Sequence, residues 1–241
     1  MAETYARSCA VHQPNFFPRL STLAKLFRAD VWVVLDDVQF NARDYQHRAR
    51  LGSLADPAAQ RWLTAAVHRP RGRSSLINEL RLADEGTPRR VAQLVRQYYR
   101  RGPYWASTSA AVDEVLAELT GTDRLVDAAE MSTRALLARL GWRGDVVRSS
   151  TLTASSQRSA RLADLTRAVG AHTYLCGQGG ARYLDEAPFA AHGLTVEYPA
   201  PPELARKDGM RTLSALWAFA ALGPTAIRDE IALTDAFAVR D

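Results

Sequence analysis

Lysine is almost missing from this 241-residue chain. It appears only at Lys25 and Lys207, so the net charge of +5 and the pI near 9.5 come from arginine. An arginine bias reflects base composition as readily as function, and the basic residues are scattered, so charge alone gives no case for nucleic-acid binding. The densest run, His68 to Arg73, reads first as a solvated loop and second as a contact for phosphate or an acidic partner. Cysteine is as scarce. Cys9 and Cys176 lie far apart in apolar runs, which argues against a disulfide scaffold or a multi-cysteine metal site and suits a reducing compartment. No apolar stretch reaches the roughly 18 residues of a membrane span. Met1–Ser8 lacks the basic-then-apolar order of a secretory signal, so the expected location is the cytoplasm, with no membrane partner. Internal repeats, low-complexity tracts, HExxH, P-loop and paired CxxC motifs are also missing, and neither a metal site nor a cofactor is expected.

What is present is an ordinary globular composition, 47% hydrophobic and 24% charged, able to bury a substantial core. RSCAVH (7–12) is a short apolar run closed by Gln13-Pro14 and Pro18. Leu20, Leu23, Ala24, Leu26 and Phe27 then recur with helical spacing over 19–29, and VWVVL (31–35) is a β-branched run suited to a strand covered on both faces. Strand, helix, strand in that order predict a βαβ unit of a parallel sheet. RWLTAAV (61–67) is the next expected strand. Three helical patterns fill 88–140, separated by Gly102-Pro103 and by Gly121-Thr122-Asp123, which ends one helix and caps the next. Strands at 145–150, 172–176 and 194–199 and helices at 159–171 and 213–223 complete the pattern. The predicted class is α/β, a parallel or mixed sheet opened by a βαβ unit, with an inserted helical layer or subdomain. Residues 1–241 read as a single domain: an N-terminal α/β part to about residue 70, a helical section over 88–140 and a C-terminal α/β part from 141.

Open α/β sheets bind ligands beyond the carboxyl ends of their strands. If the strands at 7–12 and 31–35 are parallel neighbours, His12 and the pair Asp36-Asp37 emerge on that edge. A histidine beside a carboxylate is a candidate base. Adjacent strand residues face opposite ways, so one aspartate is expected in the pocket while the other caps a turn or pairs with an arginine. Taken alone, His12 reads first as a histidine that satisfies the turn backbone next to Pro14. A second constellation is Cys176-Gly177-Gln178-Gly179-Gly180, where a strand runs into three glycines that permit φ > 0 and close backbone approach. Cys176 there is either a buried structural residue or a nucleophile at a strand-to-helix turn, with His12 or His172 as its base. Gln46, Arg48 and Arg50 follow the acidic pair; Arg48 either clamps an anionic substrate or pairs with a nearby aspartate. Ser149, Ser150 and Ser159 read as caps first, and His68 and His192 have no partner that the sequence suggests. The opening strand-turn-helix is also similar to the nucleotidylyl-transferase and class I synthetase folds, but Phe16, Phe17 and Arg19 stand where a second phosphate-binding histidine belongs.

HQPNFFP, Lys25 on the following helix, LDDVQF, Gln46-x-Arg48-x-Arg50, the block from Arg161 to Asp185 containing YLCGQGGARYLD, and the closing leucine-rich helix together resemble the WbqC-like protein family, in order and over nearly the whole chain. The chain departs from the family pattern at His47-Arg48-Ala49, where Asn-Arg-Asn is common, and at Cys176, where serine is common. The resemblance implies an amide-forming acyl- or aminoacyl-transferase of the glycyl type, in bacterial surface-polysaccharide (O-antigen) or natural-product biosynthesis. Its acceptor would be a small-molecule amine such as an amino sugar, and its donor an activated acyl group supplied as a carrier-protein thioester. On that reading His12 with Asp36 or Asp37 supplies the base. Gln13 and the Gly177 to Gly180 backbone supply oxyanion donors, and Lys25, Gln46, Arg48 and Gln178 contact substrate. Two other classes stay open: an ATP-dependent adenylating ligase, and a non-catalytic accessory protein that docks a carrier protein or nucleic acid.

Overall fold

The computed structural model describes residues 6–238; Met1–Tyr5, part of the segment read for a leader, lie outside them. β1 (Ser8–His12), α1 (Leu20–Phe27) and β2 (Val31–Val34) form the expected βαβ unit. Two antiparallel ribbons follow: β3 (Arg48–Gly52) with β4 (Gln60–Thr64), and β5 (Val67–His68) with β6 (Arg81–Leu82). Next come α2 (Thr87–Tyr99), α3 (Trp105–Gly121) and α4 (Leu125–Arg139). The chain continues through β7 (Asp145–Arg148), α5 (Arg158–Ala168), β8 (Thr173–Leu175), α6 (Gln178–Ala181), α7 (Ala187–Ala191), β9 (Thr195–Glu197) and α8 (Leu216–Ala238).

Five strands make one wholly parallel sheet in the order β7-β2-β1-β8-β9. The class is α/β as the sequence predicts, with antiparallel pairing in the ribbons and at isolated bridges outside the central sheet. RWLTAAV is not one strand: it divides into β4 and β5. β3 carries no apolar signature, because Arg48 and Arg50 occupy alternate positions of one face and leave only Ala49, Leu51 and Gly52 buried.

Side-chain alternation explains why the sheet is covered twice. Cys9, Val11, Val31 and Val33 join Ala163, Leu165 and Phe189 of α5 and α7 on one face. Ala10, Trp32 and Val34 join α1, α4 and α8 on the other. Leu23 and Leu26 of α1 are fully buried in that second layer. Each such side chain contributes roughly 1.5–3 kcal/mol on leaving water, which is what seats α1 and the lysine it carries. Val91, Val95, Val115, Leu136 and Leu137 belong to the same apolar cluster, so the helical section is a layer on the sheet with no core of its own. α3 ends at Gly121, as the sequence suggests, but α4 begins after Arg124 without a side-chain cap; Thr122 Oγ instead accepts the Arg124 N–H at 3.1 Å within the turn. The closing helix extends beyond the expected 223 but breaks there: Gly223 has φ 81°, and a Cβ on it would meet the Tyr104 ring at 2.6 Å.

The order of strands locates a crevice. From β1 the chain moves outward through β2 to β7, then returns to place β8 and β9 on the other side of β1. Connections therefore leave β1 and β8 in opposite directions, and beyond their carboxyl ends lies the usual ligand position of such sheets.

Candidate functional site

His12 closes β1, and alternation turns it to the face covered by α1. There Lys25 Nζ lies 3.4 Å from His12 Nδ1 and 3.4 Å from the Val11 carbonyl. On the far side of the ring, Asn15 Oδ1 is 3.3 Å from Nε2. Lys25 is only 7% exposed, and among the described residues no carboxylate pairs with it. Burial, with the Lys25 charge added, holds the His12 pKa well below its ordinary value. Burial also pulls Lys25 down to about 8, against a weaker upward pull from the Cys176 and Cys9 thiols. A protonated Lys25 donates to Nδ1 and so fixes a neutral imidazole with its proton on Nε2, facing Asn15.

The loop between His12 and α1 is clamped from two sides. Ser132 Oγ accepts the Phe17 N–H at 2.8 Å, and the Ser132 and Thr133 hydroxyls donate to the Asn15 carbonyl at 3.1 and 3.2 Å. The Phe16 N–H donates to the Tyr45 carbonyl at 2.9 Å. These ties hold Phe17, fully buried, at φ 49°, in the left-handed region that a bulky residue rarely adopts. Gln13 and Gln46 do meet: Gln46 Nε2 donates to Gln13 Oε1 at 2.6 Å, while Gln46 Oε1 accepts the Asn41 N–H.

The glycine segment approaches from β8. A Cβ on Gly177 would sit 3.5 Å from Lys25 Cδ, and one on Gly180 would sit 3.0 Å from Cys176 Sγ. Close approach, and not positive φ, is thus what these glycines supply: Gly177 has φ −76°, and none of the three is left-handed. The Gly180 N–H is taken up by the Gly177 carbonyl at 2.8 Å and so is not a free oxyanion donor. Gln178 and Gly179 lie exposed on α6. Cys176 is buried, and burial pushes its thiol up more than nearby Lys25 pulls it down, the reverse of an activated thiolate. His172 precedes β8, at the opposite end of that strand from Cys176, and so does not serve it as a base.

The expected His12–aspartate couple is not formed. Asp36, almost fully buried, accepts from Ser150 N at 3.0 Å and Ser150 Oγ at 2.8 Å. Its own N–H donates to Ser149 Oγ. Asp37 accepts from Ser149 Oγ at 2.5 Å and is paired with Arg161 at 2.6 Å. The turn after β7 therefore consumes both acids, since β7 lies directly beside β2. Arg48 pairs with no aspartate side chain among the described residues: its Nε and one terminal nitrogen donate to the carbonyls of Asp44 and Arg43, and its guanidinium lies 4.0 Å from the centre of the Trp62 ring. His192 does have a neighbour, Asp164 at 3.4 Å.

Asn15, Arg19, Tyr45 and Trp62 escaped the sequence reading as site residues. The β3–β4 register, Arg50 opposite Trp62, carries the signal for the last of these. Two open depressions of about 430 and 480 Å³, one bordered by Gln60 and Tyr98 and the other by Glu114 and Met131, contain none of the groups around His12. Among the described residues, no group of three His, Cys, Asp or Glu side chains is placed to hold a metal ion, and no helix is long and apolar enough to cross a membrane. A family model described as the WbqC-like protein family matches residues 13–209. No curated protein and no solved structure matches the chain.

Proposed function

The chain belongs to the WbqC-like protein family, and from that premise we propose that it is an amide-forming acyl- or aminoacyl-transferase of the glycyl type, serving bacterial glycan or natural-product biosynthesis. The observation that carries this reading is the contact between Lys25 and His12 at the crevice beside β1. Amide formation from a thioester needs a base for the attacking amine and an acid for the departing sulfur. When Lys25 is neutral the imidazole carries its proton on Nδ1, donated to Nζ, so that Nε2 takes a proton from the amine as Lys25 accepts the one on Nδ1. The C–N bond forms, the C–S bond breaks, and the proton carried by Lys25 passes to the leaving thiolate. Gln13, whose Oε1 is occupied by Gln46, keeps its amide N–H groups for the tetrahedral oxyanion. The acceptor is a small-molecule amine such as an amino sugar, and the donor a carrier-protein thioester. The test supplies a preformed aminoacyl thioester and an amine without ATP. Turnover that disappears in folded His12→Ala supports transfer, whereas a strict ATP requirement replaces it with the ligase reading.

A further inference from the structure

We propose that Arg19 and Arg50, with Arg48, form an anion-binding shelf beside His12 that takes the phosphate of a phosphorylated substrate. Several part-buried arginines find carboxylates: Arg148 pairs with Asp127 and Glu130, Arg161 with Asp37, Arg139 with Glu114. These three do not, among the described residues. Arg50 donates to the neutral Gln60 Oε1 at 3.2 Å, Arg48 to backbone carbonyls, and Arg19 rests on the Tyr45 ring at 4.6 Å. The Nε atoms of Arg19 and Arg50 are both buried without a hydrogen-bond partner.

The fold assembles them deliberately close. Arg19 bridges to Ser214, whose N–H donates to the Arg50 carbonyl at 2.9 Å. Arg48 and Arg50 share one face of β3 and lie 4.0 and 4.4 Å from the centre of the Trp62 ring, and that ring meets Tyr45 at 5.7 Å. The aromatic faces offset part of the repulsion among the guanidiniums but supply no counter-charge. One carboxylate satisfies one arginine fork, so an unbalanced trio suits a dianionic phosphoryl group with more acceptor oxygens. Arg19 also adds to the lowering of the His12 pKa, which places the shelf within electrostatic reach of the reacting groups.

This assignment deepens the transferase reading by naming a substrate's handle, yet its test is binding and stands apart from turnover. Calorimetric titration of the full chain with inorganic phosphate and pyrophosphate should show saturable binding, tighter for pyrophosphate. Arg19→Gln and Arg50→Gln should each weaken it about tenfold, as expected for a lost charged hydrogen bond, while Arg167→Gln leaves it unchanged. Trp62→Phe should remove any accompanying change in indole fluorescence. Competition by 4′-phosphopantetheine places the phosphate on the donor; competition by a nucleoside diphosphate places it on the acceptor. Absence of binding, or equal binding by the folded Arg19→Gln chain, overturns the shelf. Phosphate binding without acyl transfer keeps the shelf and removes only the transferase.

Discussion

Lys25 Nζ stands 3.4 Å from His12 Nδ1, and among the described residues neither group has a carboxylate to pair with. Two basic nitrogens so placed cannot both be charged at low cost, so a proton taken up by one lowers the affinity of the other. On the proposed transferase reading the pair works as a unit that passes one proton, with the lysine taking it at Nδ1.

Activity should therefore rise with pH through about 8, where Lys25 loses its proton, and level off above. Lys25→Arg keeps the charge but holds its proton at every working pH. That variant should lose at least about a hundredfold in kcat/KM, within the usual range for acid–base catalysis, together with the rising limb. A pH profile of kcat/KM that is flat across pH 8 in the parent chain would remove Lys25 from the proton path.

The same lysine should cost stability. Its pKa falls from an ordinary 10.5 to about 8 on folding, so between those values the unfolded chain binds more protons than the folded one. The cost is complete below pH 8 and fades as pH rises towards 10.5, and it amounts to roughly 3 kcal/mol at 1.36 kcal/mol per pH unit. Lys25→Met retains the apolar stem, so it should unfold at higher urea concentration than the parent near neutral pH, with the gap closing in alkali, while turnover is lost. Loss of both stability and turnover would make Lys25 a structural residue.

Cys176→Ser should keep most of the activity. The thiol is buried, its pKa is raised by that burial, and its Sγ meets the Gly177 carbonyl at 3.6 Å and the Tyr174 side chain. Serine is close to cysteine in size and keeps a donor and an acceptor at the same place. Iodoacetamide should accordingly label the folded chain slowly, and rapid labelling that abolishes turnover would restore Cys176 as a nucleophile.

Local pattern carried the frame of this protein. The apolar run at VWVVL and the helical spacing of Leu20, Leu23 and Leu26 report local geometry, so the βαβ unit was legible, and with it the edge at which His12 emerges. Partnership was not legible, because it depends on which strand lies on the other side. Asp36 reads as a neighbour of His12 only while β7 is unplaced; once β7 pairs with β2, Ser149 and Ser150 take both acids. Lys25 was named, but nothing local marks it as buried, since its neighbour Gly177 lies on β8's side of the crevice, far along the chain. β3 stayed hidden because its arginines carry the outward face and stack on a tryptophan from the next strand.

Asp36 gives the sharpest separation of fold from chemistry. Its carboxylate accepts from the N–H and hydroxyl of Ser150 and fastens the end of β2 to the turn after β7, the edge pair of the sheet. Hydrogen bonds to a charged group contribute roughly 1.5–3 kcal/mol each, and Asp36→Ala also strands the buried donors, so a loss of about 3 kcal/mol in urea denaturation is expected. The chemistry should survive: kcat of the folded fraction should stay within a few-fold of the parent, because His12 takes its partners from Asn15 and Lys25. His12→Ala should show the opposite pattern, small loss of stability and full loss of turnover. If Asp36→Ala instead folds normally and is as inactive as His12→Ala, the acid belongs to the reaction, and the proton path drawn through Lys25 is wrong.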